Sequence, residues 1–257
     1  MDFFTVETNE YIALITLNRP PANALASEVL QELSLVLDEV ERNDDVRVLL
    51  LKGEGRFFSA GADIKEFTEV ESEEGFTEIS KRGQDVFSRI ENFSKPVIAV
   101  IHGAALGGGL ELAMSCHIRL ASENAKLGLP ELTLGVVPGF AGTQRLPRLV
   151  GIPKAAEMMF TSEPISGTEA AVLGLVNHAY PEESLFDEAN KLAQKIAAKS
   201  PNSLKAVIEL LQFAKVSSFG QGSEQEAKLF GEIFMSEDAK EGVSAFLEKR
   251  FPQFKGK

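Results

Sequence analysis

The feature that most constrains how this 257-residue chain can fold is a unit that occurs twice. Each copy is an apolar run, residues 46–51 in the first, interrupted only by Arg47, and residues 97–101 in the second, and is soon followed by a glycine and a loop of small residues. Strands that are apolar at every position are typical of parallel sheets whose two faces are both covered. The repeat therefore predicts an α/β fold in which the two runs are adjacent buried strands.

Local patterns predict the elements that flank these strands. Residues 3–18 contain two short strand-like runs, and apolar residues at three-to-four spacing predict a helix over residues 27–42 with Ser27 as its N-cap. Two more short strands are expected at residues 117–120 and 125–128, turning back on each other as a hairpin. This mixture of strands and helices is consistent with an α/β fold.

An acidic stretch separates the two repeated units. Residues 66–78 contain six glutamates and few apolar side chains. A segment of this composition has little to bury, so we expect it to be mobile. A helix is expected only after it, around residues 84–90.

The sequence from Pro153 onward is mostly helical in pattern. Apolar faces in the last helices, which include Leu204, Ile208 and Leu211, exceed what a terminal appendage needs for its own packing. We therefore divide the chain into a core domain of residues 1–200 and a helical region of residues 201–257 that packs against other copies of the chain.

The composition argues against several classes of protein. With 26 basic and 38 acidic side chains the formal net charge is −12, which argues against nucleic acid as a main partner because phosphate binding depends on Lys and Arg. The single cysteine, Cys116, cannot form an internal disulfide and favours a reducing compartment. No secretory signal is visible, and the apolar residues 96–116 are interrupted by glycines and Glu111. We expect a soluble, cytoplasmic protein without a membrane partner.

The loops after the two strands are candidates for binding an anion. Residues 60–63 (AGAD) and 107–109 (GGG) place backbone N–H groups at strand-to-helix turns, where these groups lack partners within a helix. Such donors bind anions or stabilise an oxyanion, and donors from adjacent strands can converge on one oxygen. The alternative is that the glycines only permit tight turns and close packing, the commoner role of a lone Gly-rich loop.

Two glutamates lie in apolar surroundings. Glu111 stands between two leucines, and Glu131 follows Leu-Pro and precedes a leucine. Burial raises the pKa of a carboxyl toward the range used for proton transfer, so both are candidates for acid–base catalysis. The alternative, that each points to solvent, is the commoner fate of a glutamate. The three histidines are scattered without the spacing of metal ligands, so no metal site is expected.

Three motifs, taken together, resemble those of one protein family. They are residues 58–65 (FSAGADIK), residues 102–113 (HGAALGGGLELA), and a passage that runs from LPE at residues 129–131 to PGFAGTQRL at residues 138–146. In this order they resemble the enoyl-CoA hydratase/isomerase (crotonase) superfamily, and the likeness covers essentially the whole chain. It implies a spiral of ββα repeats with a C-terminal helical oligomerisation region.

The resemblance also implies which residues take part in a reaction. Family members bind acyl-CoA thioesters, whose carbonyl is polarised by two backbone N–H groups, here those of Ala62 and Gly108. The hydratases use two glutamates, which match Glu111, as the general base on a water molecule, and Glu131, as the proton donor to the α-carbon. The residues expected to bind the CoA thioester are Ala60, Ala62, Asp63, Ile64, Lys65 and Lys249, with Lys249 also serving CoA phosphates in a neighbouring subunit.

The preferred hypothesis is a hydro-lyase, an enoyl-CoA hydratase that converts trans-2-enoyl-CoA to 3-hydroxyacyl-CoA in the breakdown of fatty acids or related acyl groups. Isomerases of the family tend to keep only one of the two acids. No cofactor is expected, because the CoA thioester is the substrate, and family members form trimers or pairs of trimers. Phe140 and Ala141 stand where many hydratases have small residues, and we expect them to reshape the acyl pocket.

Three alternatives remain at this stage. The chain also resembles methylglutaconyl-CoA hydratases, some of which bind RNA, and another acyl-CoA isomerase or lyase of the superfamily is a further option. The third alternative is an RNA-binding scaffold without catalysis. The net charge of −12 and the lack of a dense Lys/Arg stripe count against RNA as the partner.

Overall fold

The structure of the chain, a computed structural model, describes residues 1–68, 70–216 and 218–257. Glu69 of the acidic stretch and Ser217 of the C-terminal region lie outside the described residues. The strands are β1 (Phe4–Asn9), β2 (Ile12–Leu17), β3 (Val48–Gly53), β4 (Val97–Ile101), β5 (Ala104–Leu106), β6 (Ile118–Ser122), β7 (Lys126–Gly128), β8 (Ile165–Ser166) and β9 (His178–Tyr180). The α-helices are α1 (Ser27–Arg42), α2 (Ile64–Phe67), α3 (Glu73–Glu91), α4 (Gly108–Ser115), α5 (Gly142–Val150), α6 (Ile152–Thr161), α7 (Gly167–Leu173), α8 (Glu182–Ala197), α9 (Pro201–Val216), α10 (Phe219–Phe234) and α11 (Glu237–Glu248), and a 3-10 helix covers Glu131–Leu134.

The larger sheet contains both apolar runs of the repeat. Its strand order is β1-β2-β3-β4-β6-β9, in which β1 pairs antiparallel with β2 and the other neighbouring pairs are parallel. The expected adjacency of the two runs is confirmed, since β3 and β4 are neighbours. Leu49 and Leu51 pack in one apolar cluster with α1 and α3, whereas Val48 and Leu50 pack on the opposite face against α8. Because helices cover both faces, the strands are apolar at nearly every position.

The chain crosses repeatedly from this sheet to a second, smaller one. Beyond β4, Gly103 adopts a φ of +62° and turns the chain into β5, which lies in a sheet of order β5-β7-β8. β6 is followed in the same way by β7. Isolated parallel bridges, Ser59 with Ala105 and Leu25 with Ala62, extend this second layer toward the earlier part of the chain. The fold is therefore the expected spiral of ββα repeats.

The expected hairpin between residues 117–120 and 125–128 is wrong. β6 lies between β4 and β9 in the larger sheet, so both of its edges are occupied and β7 cannot pair with it. The chain instead turns a corner at Ala125, whose N–H donates to Ser122 O at 3.0 Å. β7 then pairs with β5 in the second sheet.

The acidic stretch also differs from its prediction, because much of it is helical. α2 covers Ile64–Phe67, and α3 begins at Glu73 rather than near residue 84. Ser72 caps α3 by accepting a hydrogen bond from Gly75 N–H at 3.0 Å, and glutamates in the first turn are favourable against the positive end of a helix dipole. Glu66 has a structural role as well, since its Oε2 accepts from Ser27 N–H at 3.0 Å. The N-cap position of α1 is Ala26, not the predicted Ser27.

The C-terminal helices expose several large apolar side chains. Phe219, Phe230, Phe234, Phe246 and Phe251 are each more than half exposed in the single chain. The end of the chain is fastened nonetheless, because Asp238 of α11 accepts hydrogen bonds from the N–H groups of Lys255 and Gly256. The division at residue 200 stays a prediction. No helix among the described residues has the length and apolar character needed to cross a membrane.

The substitution Gly103→Ala tests the crossing between the sheets. A Cβ on Gly103 would lie 1.9 Å from the carbonyl oxygen of Arg56 and would occupy a left-handed conformation, so we expect the free energy of unfolding to fall by about 2 to 5 kcal/mol. Gly55→Ala is the matched control: Gly55 has a φ of +75° but a Cβ there has no atom within 4 Å, so its cost should be about 1 to 2 kcal/mol. Urea unfolding at fixed protein concentration measures both losses. Equal losses would contradict the tight crossing.

Candidate active site

The two small-residue loops lie against one another at the edge of the second layer. Leu25 N–H donates to Gly61 O at 2.8 Å and Asp63 N–H donates to Leu25 O at 3.2 Å, so Ala62 lies between these bonds with its own N–H outside them. Gly108 is the first residue of α4, where an N–H has no partner within the helix. A Cβ placed on Gly108 would lie 3.2 Å from Ala62 N. Neither N–H has an acceptor among the described residues, which leaves two neighbouring donors free.

Ser59 fastens the first loop to the second sheet. Its N–H donates to Ala104 O at 3.2 Å, and its carbonyl accepts from Leu106 N–H at 3.0 Å. The buried Ser59 hydroxyl donates to Asn23 O at 2.8 Å and accepts from Gly61 N–H at 3.2 Å. These bonds hold the loop from both sides, so the position of Ala62, three residues after Ser59, is set by the sheet rather than by the loop itself.

Glu111 lies one turn after Gly108 on α4 and is 1% exposed. Its Oε1 accepts hydrogen bonds from Phe140 N–H at 2.9 Å and from Gly142 N–H at 2.6 Å. Burial raises the pKa of Glu111 to about 7; the charge of Glu131 adds to the rise, and the two N–H groups oppose it. A carboxyl with this pKa can take or release a proton near neutral pH.

Glu131 opens the 3-10 helix and lies beside the start of α4. A Cβ on Gly107 would be 3.1 Å from Glu131 Oε1. Glu131 Oε2 is buried and accepts no hydrogen bond from the part of the chain that the structure describes, and burial raises the pKa of this carboxyl. The second sheet brings the two glutamates together, because β7, which leads to Glu131, pairs with β5, which leads to Gly107. Gly107 N–H also donates to Gly128 O at 2.9 Å.

The other loop residues predicted to bind substrate surround Ala62. Ala60 is exposed, and its N–H donates to Ala22 O at 2.9 Å. Asp63 caps α2 and receives Arg19 Nη2 at 2.7 Å, a hydrogen bond that holds the pKa of Asp63 below its ordinary value. Ile64 and Lys65, in α2, are both exposed. The loop therefore presents one apolar and one cationic side chain to solvent next to the free donors.

Lys249 lies at the end of α11 and is not part of these loops. It follows α11 in a left-handed conformation, with a φ of +56°, and is exposed. Within residues 1–68, 70–216 and 218–257 its side chain forms no ion pair. Its predicted role with a neighbouring subunit's CoA stays a prediction.

The site contains residues that the sequence analysis missed. The N–H groups of Phe140 and Gly142 hold Glu111. In the sequence, the one signal of a special turn at this place is that the passage is rich in proline and glycine. A Cβ on Gly142 would lie 2.8 Å from Glu111 Oε1, so a glycine is needed there for close approach. The ring of Phe140 is 3% exposed and meets Phe87 edge-on at 5.4 Å. It belongs to the core beneath the site, and its expected effect on the acyl pocket stays a prediction.

The remaining candidate groups lie apart from this pair of acids. Cys116, at the end of α4, is buried, and burial raises the pKa of its thiol to about 12. In the described ranges, which omit Glu69 and Ser217, no group of three or more His, Cys, Asp or Glu side chains is arranged to hold a metal ion.

Comparisons with known proteins agree on one family. A family model described as enoyl-CoA hydratase/isomerase matches residues 7–257. The chain is 57% identical, over the full length of both proteins, to a probable enoyl-CoA hydratase of Bacillus subtilis. It is 42% identical to a short-chain-enoyl-CoA hydratase of Clostridium acetobutylicum, covering 95% of this chain and 94% of that protein. The crystal structure of an enoyl-CoA hydratase from Bacillus anthracis superimposes with a TM-score of 0.94 at 36% identity, covering 99% of each chain.

The raised pKa of Glu111 makes the stability of the fold depend on pH. The carboxyl has a pKa of about 7 in the folded chain and an ordinary value of 4.5, so between these pH values it takes up a proton on folding. Its contribution to stability therefore falls as pH rises from about 5 to 8. Glu111→Gln keeps an acceptor for the two N–H groups but cannot ionise. We expect this variant to gain up to about 3 kcal/mol relative to the unmodified chain over that range, measured by urea unfolding.

The matched control is Glu163→Gln, which alters an exposed glutamate before β8. It should follow the unmodified chain at every pH. If the stability difference between Glu111→Gln and the unmodified chain did not change with pH, Glu111 would not have a raised pKa.

Proposed function

The chain belongs to the enoyl-CoA hydratase/isomerase family, and we propose that it adds water to a trans-2-enoyl-CoA thioester to give the 3-hydroxyacyl-CoA. It is a hydro-lyase, an enoyl-CoA hydratase. The observation that carries the proposed mechanism is a pair of carboxyls, the buried Glu111 and the partly buried Glu131, next to two backbone N–H groups that have no acceptor among the described residues. Such a site combines proton transfer with stabilisation of an oxyanion.

The N–H groups of Ala62 and Gly108 receive the thioester oxygen. When water adds to the β-carbon, negative charge moves onto this oxygen as the α-carbon becomes part of an enolate. Two fixed donors stabilise that charge without having to reorient, and losing one donor of this kind typically lowers the rate about 100- to 1,000-fold. Because Gly108 begins α4, the positive end of the helix dipole adds to the stabilisation.

The two carboxyls divide the proton transfer between them. The charge of Glu131 raises the pKa of Glu111, so the two carboxyls do not both ionise readily and one of them keeps its proton. Glu111 Oε1 accepts two N–H groups, which favours its ionised form, whereas Glu131 Oε2 has no donor among the described residues, which favours the protonated form. Glu111 is therefore the base. It removes a proton from the water molecule while the water oxygen bonds to the β-carbon. Glu131 delivers its proton to the α-carbon, and one proton moved from Glu111 to Glu131 restores the starting state.

The loop after Ser59 binds the CoA thioester. Ala60 and Ala62 offer backbone groups, and Lys65 is an exposed cation for the phosphates. Arg19 holds Asp63, and with it the start of α2, in place beside Ala62. Lys249 of a neighbouring subunit completes the phosphate contacts. The reaction needs no cofactor, because neither the proton transfers nor the oxyanion stabilisation requires one.

The enzyme acts in the breakdown of fatty acids or related acyl groups, in the cytoplasm, as a trimer or a pair of trimers. Support for the oligomer comes from the phenylalanines that α10 and α11 expose in the single chain, since apolar surface of this kind is usually covered by a partner. Support for the cytoplasm comes from the single, buried cysteine, which suits a reducing compartment. The short-chain relative at 42% identity favours short acyl groups.

Glu111→Gln and Glu131→Gln test the assigned chemistry. Each removes one proton-transfer group at nearly constant shape, so we expect kcat for crotonyl-CoA hydration to fall about 10²- to 10⁴-fold, while Glu163→Gln stays at the rate of the unmodified enzyme. For the unmodified enzyme, kcat/KM should decline as pH falls below about 7, the pKa of Glu111, because Glu111 becomes protonated.

A panel of short, medium and branched enoyl-CoA substrates, including methylglutaconyl-CoA, gives the acyl preference. Full activity in both variants would refute the mechanism, and tight RNA binding without turnover would favour the scaffold alternative.

The exposed phenylalanines of α10 provide a test of the oligomer. The rings of Phe230 and Phe234 lie 5.3 Å apart and are 66% and 54% exposed in the single chain. We expect sedimentation equilibrium to give three or six chains for the unmodified protein and a smaller assembly after Phe230→Glu and Phe234→Glu are combined. Leu35→Glu, on the outer face of α1, is the control and should keep the assembly. A monomeric unmodified protein would contradict the proposal.

A further inference from the structure

The buried guanidinium of Arg145 has no part in the mechanism above. Arg145 lies in the first turn of α5 and is 7% exposed. Its Nη1 donates to the carbonyl oxygen of Phe140 at 2.8 Å, and its Nε and Nη2 both reach Glu91 Oε2 at 3.1 Å. A buried cation is costly unless it is paired and hydrogen-bonded. Arg145 meets both conditions. One of its N–H groups binds the turn whose own N–H groups, those of Phe140 and Gly142, hold Glu111.

The position of that donor matters because of how the peptide units alternate. The peptide group between Gly139 and Phe140 and the peptide group between Ala141 and Gly142 each direct an N–H at Glu111 Oε1. The unit between them carries the Phe140 carbonyl, which accepts the bond from Arg145. The guanidinium therefore holds the middle of three successive peptide units whose outer two hold the carboxylate. Rotation of the middle unit would turn at least one N–H away from Glu111.

The far side of the same turn is held by neutral groups. Gly139 O accepts from Ser80 Oγ at 2.6 Å and from Gln84 Nε2 at 2.9 Å, both on α3. Arg145 thus differs from the other supports of the turn in carrying a charge.

The charged groups that face Glu111 come from two elements. Glu131, from the 3-10 helix, is the anion that raises the pKa of Glu111, and Arg145, from α5, is the cation that lowers it. On the α3 side, Glu91 partly neutralises Arg145 and also binds Lys215 of α9 at 2.8 Å. Glu111 therefore responds to a balance in which Arg145 opposes Glu131, and Glu91 limits the effect of Arg145.

We propose that Arg145 is a positioning residue for Glu111: its guanidinium fixes the Phe140–Gly142 turn whose N–H groups hold the carboxylate, and its positive charge keeps that carboxylate ready to act as a base. The inference depends on the proposed function in one respect, the role of Glu111 as the base. Glu91 holds Arg145 in place and moderates its charge.

Opposite charge changes should shift the pH profile in opposite directions. In Arg145→Met, the turn loses its bond and Glu111 loses its cation. We expect kcat for crotonyl-CoA to fall about 10- to 100-fold, as for a small displacement of a reacting group, with KM changed less than about 2-fold. The acidic limb of kcat/KM should move up by roughly 0.5 to 1 pH unit, less than the 1 to 3 units of a directly contacting cation. In Glu91→Gln the cation is less neutralised, so the limb should move down.

Lys215→Met and Arg145→Lys are the matched variants. Lys215→Met removes the other partner of Glu91 without touching the turn, so kcat and the position of the limb should stay within about 2-fold and 0.2 pH unit of the unmodified enzyme, a small fraction of the 1 to 3 units of a contacting cation. Arg145→Lys keeps the charge but not the forked donors, so it should retain the position of the limb with a lowered kcat. A folded Arg145→Met enzyme whose limb and kcat are unchanged overturns the inference. If Arg145→Met does not fold, an acidic limb of kcat/KM that fails to move to lower pH in Glu91→Gln overturns the inference.

A second measurement separates this inference from the proposed function. The gain in stability of Glu111→Gln over the unmodified chain can be measured without substrate. The pH at which this gain levels off follows the pKa of Glu111 in the folded chain, so it should move upward when both chains also carry Arg145→Met. If the unmodified enzyme hydrates no enoyl-CoA, the proposed function fails while this shift still tests the coupling of Arg145 to Glu111. If hydration is normal and the shift is absent, the coupling alone is refuted.

Discussion

The site depends on one interaction, the pair of hydrogen bonds from Phe140 N–H and Gly142 N–H to Glu111 Oε1. A carboxylate that is 1% exposed would otherwise be neutral or would leave the interior. The two donors keep the ionised form accessible, and burial keeps the pKa near neutrality. Because a Cβ at residue 142 would clash with the carboxylate, the close approach also requires glycine at that position.

The fold supplies the components of the site in a fixed relation to each other. α4 carries Gly108 at its start and Glu111 one turn later, so a single short helix sets the spacing between an oxyanion donor and the base. The second sheet places Ala62 and Glu131 beside the start of this helix, through the bridge to Leu25 and the pairing of β5 with β7. The groups come from three separate segments, yet each is held by backbone hydrogen bonds, which give little freedom to move.

Much of the framework could be predicted, because the signals are local. The apolar runs that became β3 and β4 indicated adjacent parallel strands, and three-to-four spacing indicated α1 with bounds that the structure confirms. The acidic stretch was misjudged because its composition outweighed a good capping residue, Ser72, in the prediction. The hairpin was misjudged because a turn signal does not reveal that both edges of β6 are already paired.

The sequence by itself determined that the chain alternates buried strands, small-residue loops and helices, and that Glu111 and Glu131 stand in apolar surroundings. Those properties follow from the spacing and composition of a few neighbouring residues, so they can be recognised without knowing the fold. Only the tertiary structure decided that Glu111 receives two N–H groups from a turn 29 and 31 residues away, and that Arg145 supports this turn from behind. Contacts of that kind depend on how two sheets and several helices pack together. A local sequence pattern therefore does not predict which distant backbone groups come into contact.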